Sequence, residues 1–207
     1  LSTFYPWIIP PQNLTHRNAS LIAKMGSPHR PPNINIISHL IWKNLFSVFI
    51  TFCCHYYGTS HLEKRKNVLD GIAITGGEPL LQKDIERFLY ELKETGIAVK
   101  LDTNGCFPEK LEGILQLGLV DYVAMDIKNC KEKYPLTAGV EGLDVALIDK
   151  SVQILLKNQV DFEFRTTVVK EHHTVEDMEK IAHWISGAPR YYLQNFENSG
   201  NLISENC

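Results

Sequence analysis

The first sixty residues contain no aspartate and no glutamate. An average composition would place roughly six or seven there. All 24 acidic residues follow Ser60. Four basic residues precede that point, and 17 follow it, so the two parts carry +4 and −7. The early part is also crowded with Pro6, Pro10, Pro11, Pro28, Pro31 and Pro32, and it holds four of the eight histidines. A long apolar run is missing as well. Leu45 to Cys54 is apolar, but Lys43 and Asn44 precede it and His55 follows. A spanning helix needs about 20 apolar residues, so the run reads as a buried strand or helix rather than a membrane anchor. No basic-then-apolar leader opens the chain. The patterns at Asn13-Leu14-Thr15 and Asn18-Ala19-Ser20 then carry little weight as glycosylation sites, and a cytoplasmic protein is expected.

Cysteine is scarce and irregular: Cys53, Cys54, Cys106, Cys130 and Cys207. An odd count at uneven spacing argues against a disulfide framework. Adjacent Cys53 and Cys54 diverge in an extended chain and make poor joint ligands of one metal centre. The net charge of −3 gives no footprint for nucleic acid or an anionic membrane surface. What is present in 207 residues suffices for one well-buried domain, with 44% apolar and 22% charged residues.

After Ser60 the pattern becomes regular. Gly71 to Thr75, Ile97 to Leu101, Tyr122 to Ile127, Asp161 to Val169 and Arg190 to Gln194 read as strands. Between them lie helical stripes: Leu81, Ile85, Phe88, Leu89 and Leu92 before Gly96; Leu111, Ile114 and Leu115 after Pro108 and before Gly118; Ile148, Val152, Leu155 and Leu156. Thr174 and Asp177 form a capping-box pattern ahead of Ile181 and Ile185. A looser stretch separates the third strand from the third of these helices. Strand and helix alternating with short links predict an α/β fold with a parallel sheet and outer helices. Handed crossovers roll such a series into an arc, so a partial (β/α) barrel is expected, with an open doubly wound sheet as the alternative. Asn33 to Ile37 and Phe46 to Phe52 are further strand candidates, while 1–30 reads as irregular. The domain reading is an atypical segment over 1–60 and a core over 61–207.

In a parallel barrel the strands' C-terminal ends carry the ligand site. The polar residues at those ends are Glu78, Asp102, Thr103, Asn104, Asp126, Lys128, Arg165 and Gln194. Gly76-Gly77 lets the backbone approach a ligand closely. Glu78 suits an ammonium group, Asp102 and Asn104 suit hydroxyls, and Lys128 and Arg165 suit a carboxylate. Each has a plainer alternative: a tight turn at 76–79, an Asx turn at 102–105, a solvated lysine at 128. His172-His173 reads as a surface pair before a helix more readily than as a metal site.

Five segments carry a family resemblance: Thr75-Gly76-Gly77-Glu78-Pro79, Leu101-Asp102-Thr103-Asn104-Gly105, Asp121 to Lys128, Phe164 to Val169 and Arg190 to Gln194. Through these the chain strongly resembles the radical S-adenosylmethionine (SAM) enzymes. Within them it looks most like the activating proteins of anaerobic ribonucleotide reductase and their pyruvate formate-lyase activase relatives. The resemblance starts near Leu62-Glu63-Lys64-Arg65 and covers about two thirds of the chain. It implies two cofactors, S-adenosylmethionine and a [4Fe-4S] cluster held by C-x3-C-x2-C in the loop after the first barrel strand. It implies an oxidoreductase that cleaves SAM to a 5′-deoxyadenosyl radical, with a glycyl-radical enzyme and an electron donor as partners. It assigns Gly76, Gly77 and Glu78 to the methionine amine, and Asp102, Asn104, Asp126, Lys128 and Arg165 to the rest of the cofactor site. Related barrels that act on small molecules, including deazapurine precursors, share the Gly-Gly-Glu turn.

One departure is large. No C-x3-C-x2-C occurs in the sequence, so no metal ligands are assigned; Cys106 and Cys130 would sit near the correct barrel end as improvised ligands. The missing acids, crowded prolines, initial Leu and recovery near His61 point to an out-of-frame reading or a corrupted gene start over 1–60. A SAM-binding or inactive remnant is then the alternative to an intact enzyme.

Overall fold

The computed structural model describes residues 45–49, 69–157 and 159–196. The strands are β1 (Leu45–Phe49), β2 (Gly71–Thr75), β3 (Ala98–Thr103), β4 (Tyr122–Asp126), β5 (Asp161–Val168) and β6 (Tyr191–Asn195). All neighbours pair in parallel, in the order β1-β2-β3-β4-β5-β6. A doubly wound sheet reverses its order at a switch point. Here every crossover steps in the same direction, as in an arc of barrel, which removes the alternative topology. The helices are α1 (Ile85–Glu94), α2 (Pro108–Gln116), α3 (Tyr134–Ala138), α4 (Val145–Leu156) and α5 (Val175–Trp184).

Alternation along each strand divides the sheet into two faces. Ile72, Ile74, Val99, Leu101, Val123, Met125, Phe162 and Phe164 are buried on the helix side. They meet Phe88, Leu89 and Leu92 of α1, Leu111 and Ile114 of α2, and Ile148, Val152 and Leu155 of α4 in one core. The other face carries Lys100, Asp102, Tyr122, Asp126, Glu163 and Arg165.

The five strands expected after Ser60 are present, Gly71–Thr75 with its ends unchanged and the others with one or both ends moved by one or two residues. β1 lies inside the compositionally atypical 1–60 segment and overlaps the Phe46 to Phe52 candidate. Asn33 to Ile37 and the irregular 1–30 stretch lie outside the described residues. The first helical stripe is shorter than expected. Pro79–Leu81 forms a single 3-10 turn and the helix begins at Ile85, leaving Leu81 exposed. Glu78 accounts for the break, because its side chain accepts from the Leu80 N–H and caps the turn. The loose stretch after β4 contains α3, begun by Pro135 in its first turn and ended by left-handed Gly139. Thr174 and Asp177 make both capping-box bonds of α5. Among the described residues no helix is long and apolar enough to cross a membrane.

Gly105 follows β3 with φ +79, and a Cβ there would run into the Met125 side chain. Its carbonyl accepts from buried Ser151 Oγ of α4 at 2.7 Å. Gly105→Ala combines a left-handed backbone penalty with overpacking and is expected to lower stability by about 2 kcal/mol. Urea denaturation checks this, and Met125→Ala is expected to cost less in the Gly105→Ala chain than in wild type, because the added methyl occupies part of the cavity.

Candidate functional site

The inner face of the sheet presents a chain of alternating charges at its C-terminal edge. Arg165 of β5 places Nη2 3.0 Å from Asp126 Oδ1 and 3.6 Å from Asp102 Oδ2. Its Nε also donates to Asp126 Oδ1, at 3.1 Å. Lys128 Nζ donates to Asp126 Oδ2 at 3.1 Å. Lys100 Nζ lies 3.1 Å from Asp102 Oδ1, in an ion pair without hydrogen-bond alignment. In-register pairing of Asp126 with Arg165 brings these groups together. Burial would raise the Asp126 carboxyl, but Arg165 and Lys128 outweigh it and hold the group below the usual aspartate range. Burial likewise opposes charge on Arg165, and Asp102, Asp126 and Glu163 overcome it, holding the guanidinium charged. One layer below, Tyr122 Oη donates to Glu163 Oε2 at 2.7 Å, and the Arg190 guanidinium sits 5.7 Å from the Tyr122 ring centre.

The second part of the site is the turn after β2. Gly76 and Gly77 take φ of +96 and +43, consecutive left-handed values that side chains resist. A Cβ on Gly77 would meet nothing within 4 Å, so the backbone there borders open space. Glu78 points into the protein. Its Oε1 accepts from the Leu80 N–H at 3.0 Å and from Thr103 Oγ1 at 3.0 Å, and its Oε2 accepts from the Asn104 N–H at 2.6 Å. Asn104 Oδ1 in turn accepts from the Cys106 N–H at 2.9 Å, closing the Asx turn. The carboxylate thus fastens the β2 turn to the β3 turn and keeps about one acceptor position for anything else. Burial pushes the Glu78 carboxyl up to about 6, against three hydrogen bonds that favour its ionised form.

The third part escaped sequence reasoning. The strip from Asp126 to Cys130 is held at successive backbone carbonyls by side chains from other elements. Tyr134 Oη donates to Asp126 O at 3.2 Å and Thr166 Oγ1 to Ile127 O at 2.7 Å. His173 Nε2 donates to Lys128 O at 2.8 Å. Asn129 Nδ2 donates to Thr137 Oγ1 and to His172 O, at 2.8 and 2.9 Å. His173 is buried rather than part of a surface pair. Its place immediately before the capping-box threonine was the available signal.

The eight proposed ligand residues therefore fall into two groups, Gly76-Gly77-Glu78 with Asn104, and Asp102-Asp126-Lys128-Arg165. They are close enough that Asp126 contributes to the rise at Glu78. Gln194 lies farther along, opposite Thr167 on β5. Cys106 lies between the groups, where burial and Glu78 raise its thiol against the pull of Lys128. Cys130 is not at the site. It is buried, with Sγ 3.5 Å from Asp177 Oδ1 under the start of α5. Cys53, Cys54 and Cys207 lie outside the described residues. Among the described residues no three His, Cys, Asp or Glu side chains gather as a metal site.

A model of the radical SAM superfamily matches residues 60–185. A protein of Methanocaldococcus jannaschii, provisionally named a glycyl-radical enzyme activating enzyme, is 41% identical over 133 residues, covering 62% of this chain and 55% of that protein. A 7-carboxy-7-deazaguanine synthase of Methanothermobacter thermautotrophicus is 38% identical over 90 residues, covering 41% of this chain and 34% of the synthase. The crystal structure of Streptococcus suis SuiB bound to S-adenosylmethionine matches with a TM-score of 0.55 at 15% identity, covering 74% of this chain and 38% of SuiB. That last likeness is one of fold. The chain spans about half the length of the first of these relatives and about a third of the second.

Proposed function

The chain belongs to the radical SAM superfamily, and from that premise we propose that its core is the SAM-binding part of a glycyl-radical-activating enzyme. The observation that carries this reading is the ion-paired chain Lys128–Asp126–Arg165–Asp102 standing at the same sheet edge as the Gly76-Gly77 turn, where Gly77 borders open space. A ligand with one ammonium and one carboxylate suits that edge. Lys128, whose side chain is 42% exposed and whose ammonium keeps donors beyond its bond to Asp126, suits the carboxylate. The backbone carbonyls of the Gly76-Gly77 turn and the remaining acceptor position of Glu78 suit the ammonium. Asp102 and Asn104 suit ribose hydroxyls.

The family also implies a [4Fe-4S] cluster, and the residues present do not fit it. Three converging thiolates are needed. The sequence has no C-x3-C-x2-C, Cys130 is committed to Asp177, and Cys106 is held toward its neutral thiol. The part assigned to this chain is therefore binding and orienting SAM. A glycyl-radical enzyme as the partner follows the name of the M. jannaschii relative. The match to the deazaguanine synthase favours a second reading, a small deazapurine precursor as the substrate.

Titration calorimetry with S-adenosylhomocysteine tests the core proposal without any cluster. Saturable one-to-one binding is expected, weakened about tenfold by Lys128→Met through loss of one charged contact. No binding, or equal binding by the variant, overturns it. Further stabilisation of the loaded protein by a deazapurine precursor would favour the second reading.

A further inference from the structure

We infer that His173 is a positioning residue for the cofactor site, acting through the backbone of Lys128. The inference rests on the assignment of Lys128 to the ligand carboxylate. Lys128 O can only accept, so Nε2 of His173, 2.8 Å away, carries the ring proton. Nδ1 lies 3.1 Å from both N and O of Val169, and in the neutral ring it accepts from the Val169 N–H. One imidazole therefore ties the residue after β4 that presents the cation to the end of β5, the strand that supplies Arg165.

The neighbouring bonds make His173 the determining tie. Asp126 O and Ile127 O are held by Tyr134 and Thr166, so the chain reaches Lys128 in a fixed direction. Asn129 on the far side is held by its own side chain to Thr137 and His172. Among the described residues the Lys128 ammonium bonds to Asp126 at 3.1 Å, and that carboxylate is shared with Arg165. Without the His173 bond the carbonyl of Lys128 is released, the peptide plane can turn, and the ammonium group moves relative to Gly76-Gly77. His173 also lines a cleft of about 520 Å³, together with Val168, Lys170, Glu171, Asn195 and Phe196. His173 thus borders that cleft and bonds the lysine backbone.

Two substitutions separate the two ring nitrogens. The amide of His173→Gln reaches the position of Nε2 and can donate to Lys128 O. The amide of His173→Asn reaches only the position of Nδ1 and can serve only Val169. Binding of S-adenosylhomocysteine to the full chain is measured alongside thermal midpoints. The glutamine variant is expected within about twofold of wild type, and the asparagine variant about tenfold weaker. In a Lys128→Met background the asparagine change is expected to add nothing. A merely structural histidine gives a different pattern, in which affinity follows the thermal midpoint in both variants. Wild-type affinity in His173→Asn, or an equal loss with and without Lys128, overturns the inference. A wild-type chain that binds no S-adenosylhomocysteine overturns the site assignment itself, and this inference with it.

Discussion

Glu78→Ala is expected to destabilise the protein by about 3 kcal/mol at neutral pH and to remove detectable S-adenosylhomocysteine binding. The change strands the N–H groups of Leu80 and Asn104 and deprives Thr103 of its acceptor. A donor left unpaired costs about 1–3 kcal/mol. Loss of the carboxylate partly offsets this, because its burial is itself unfavourable. The folded protein holds the Glu78 proton up to about pH 6, against 4.5 for the free group. Between those values the folded state binds more protons than the unfolded state, so stability falls as pH rises through that window, by at most about 2 kcal/mol. Above pH 6 the penalty is complete and constant. Glu78→Gln removes the charge but keeps one acceptor oxygen, which can serve Leu80 and Thr103. Its amide nitrogen then faces the Asn104 N–H, donor against donor. The glutamine variant should therefore stay within about 1 kcal/mol of wild type at pH 7, with the gains and losses near cancellation. It should nevertheless bind S-adenosylhomocysteine about tenfold more weakly, because the β3 turn is released. Urea denaturation at pH 4.5 and 7 checks both arms, and the wild-type slope between those values should vanish in the glutamine variant.

Arg165→Met is expected to cost about 3 kcal/mol. Removing one partner of a buried ion pair leaves an uncompensated charge, typically about 3–5 kcal/mol. The lower end applies because the Asp102 and Asp126 side chains retain 21% and 36% exposure. Both carboxylates then face each other with, among the described residues, Lys100 and Lys128 left to balance them. Arg165→Lys should recover less than half, since one ammonium cannot take both carboxylates as the guanidinium does. The pH dependence reverses in sign. In wild type, Asp126 is depressed below 3.8, so its pairing stabilises the fold above that value and is lost as pH falls through the depressed pKa. In the methionine variant the Asp126 carboxyl loses its largest lowering partner and moves upward, so acidification toward pH 4 relieves repulsion and narrows the gap from wild type. Adding Asp126→Asn should restore part of the loss, an interaction visible in a double-mutant cycle.

The parts of the fold that were legible share one physical cause. Gly71 to Thr75, Tyr122 to Ile127 and the stripes at Leu111–Ile114 and Ile148–Leu155 carry apolar residues at the period their burial demands. The Thr174–Asp177 box declares its helix start through side chains that satisfy backbone donors. Leu81 misled because it continues the α1 spacing, while a capping bond from Glu78 three residues earlier ends the turn before the helix starts. The five-residue helix α3 is too short to show a period. Within the site, residue types and strand ends placed Asp102, Asp126, Lys128 and Arg165 among a wider group of strand-end candidates, and the ion pairs that join these four appear only in the structure. Direction was not legible. Composition cannot tell that Glu78 turns inward to three donors, or that Cys130 turns beneath α5 to Asp177. The carbonyl ties from Tyr134, Thr166 and His173 span up to 45 residues and leave no local pattern.

The most direct test of the account is a crystal structure of the full chain grown with S-adenosylhomocysteine. The account predicts the amino-acid end of the ligand across the sheet edge between β2 and β4. Its ammonium should lie within hydrogen-bond distance of the Gly76-Gly77 carbonyls and its carboxylate on Lys128, with Glu78 still bound to Asn104. A ligand seated elsewhere, or a Lys128–Asp126 pair untouched by it, would contradict the account.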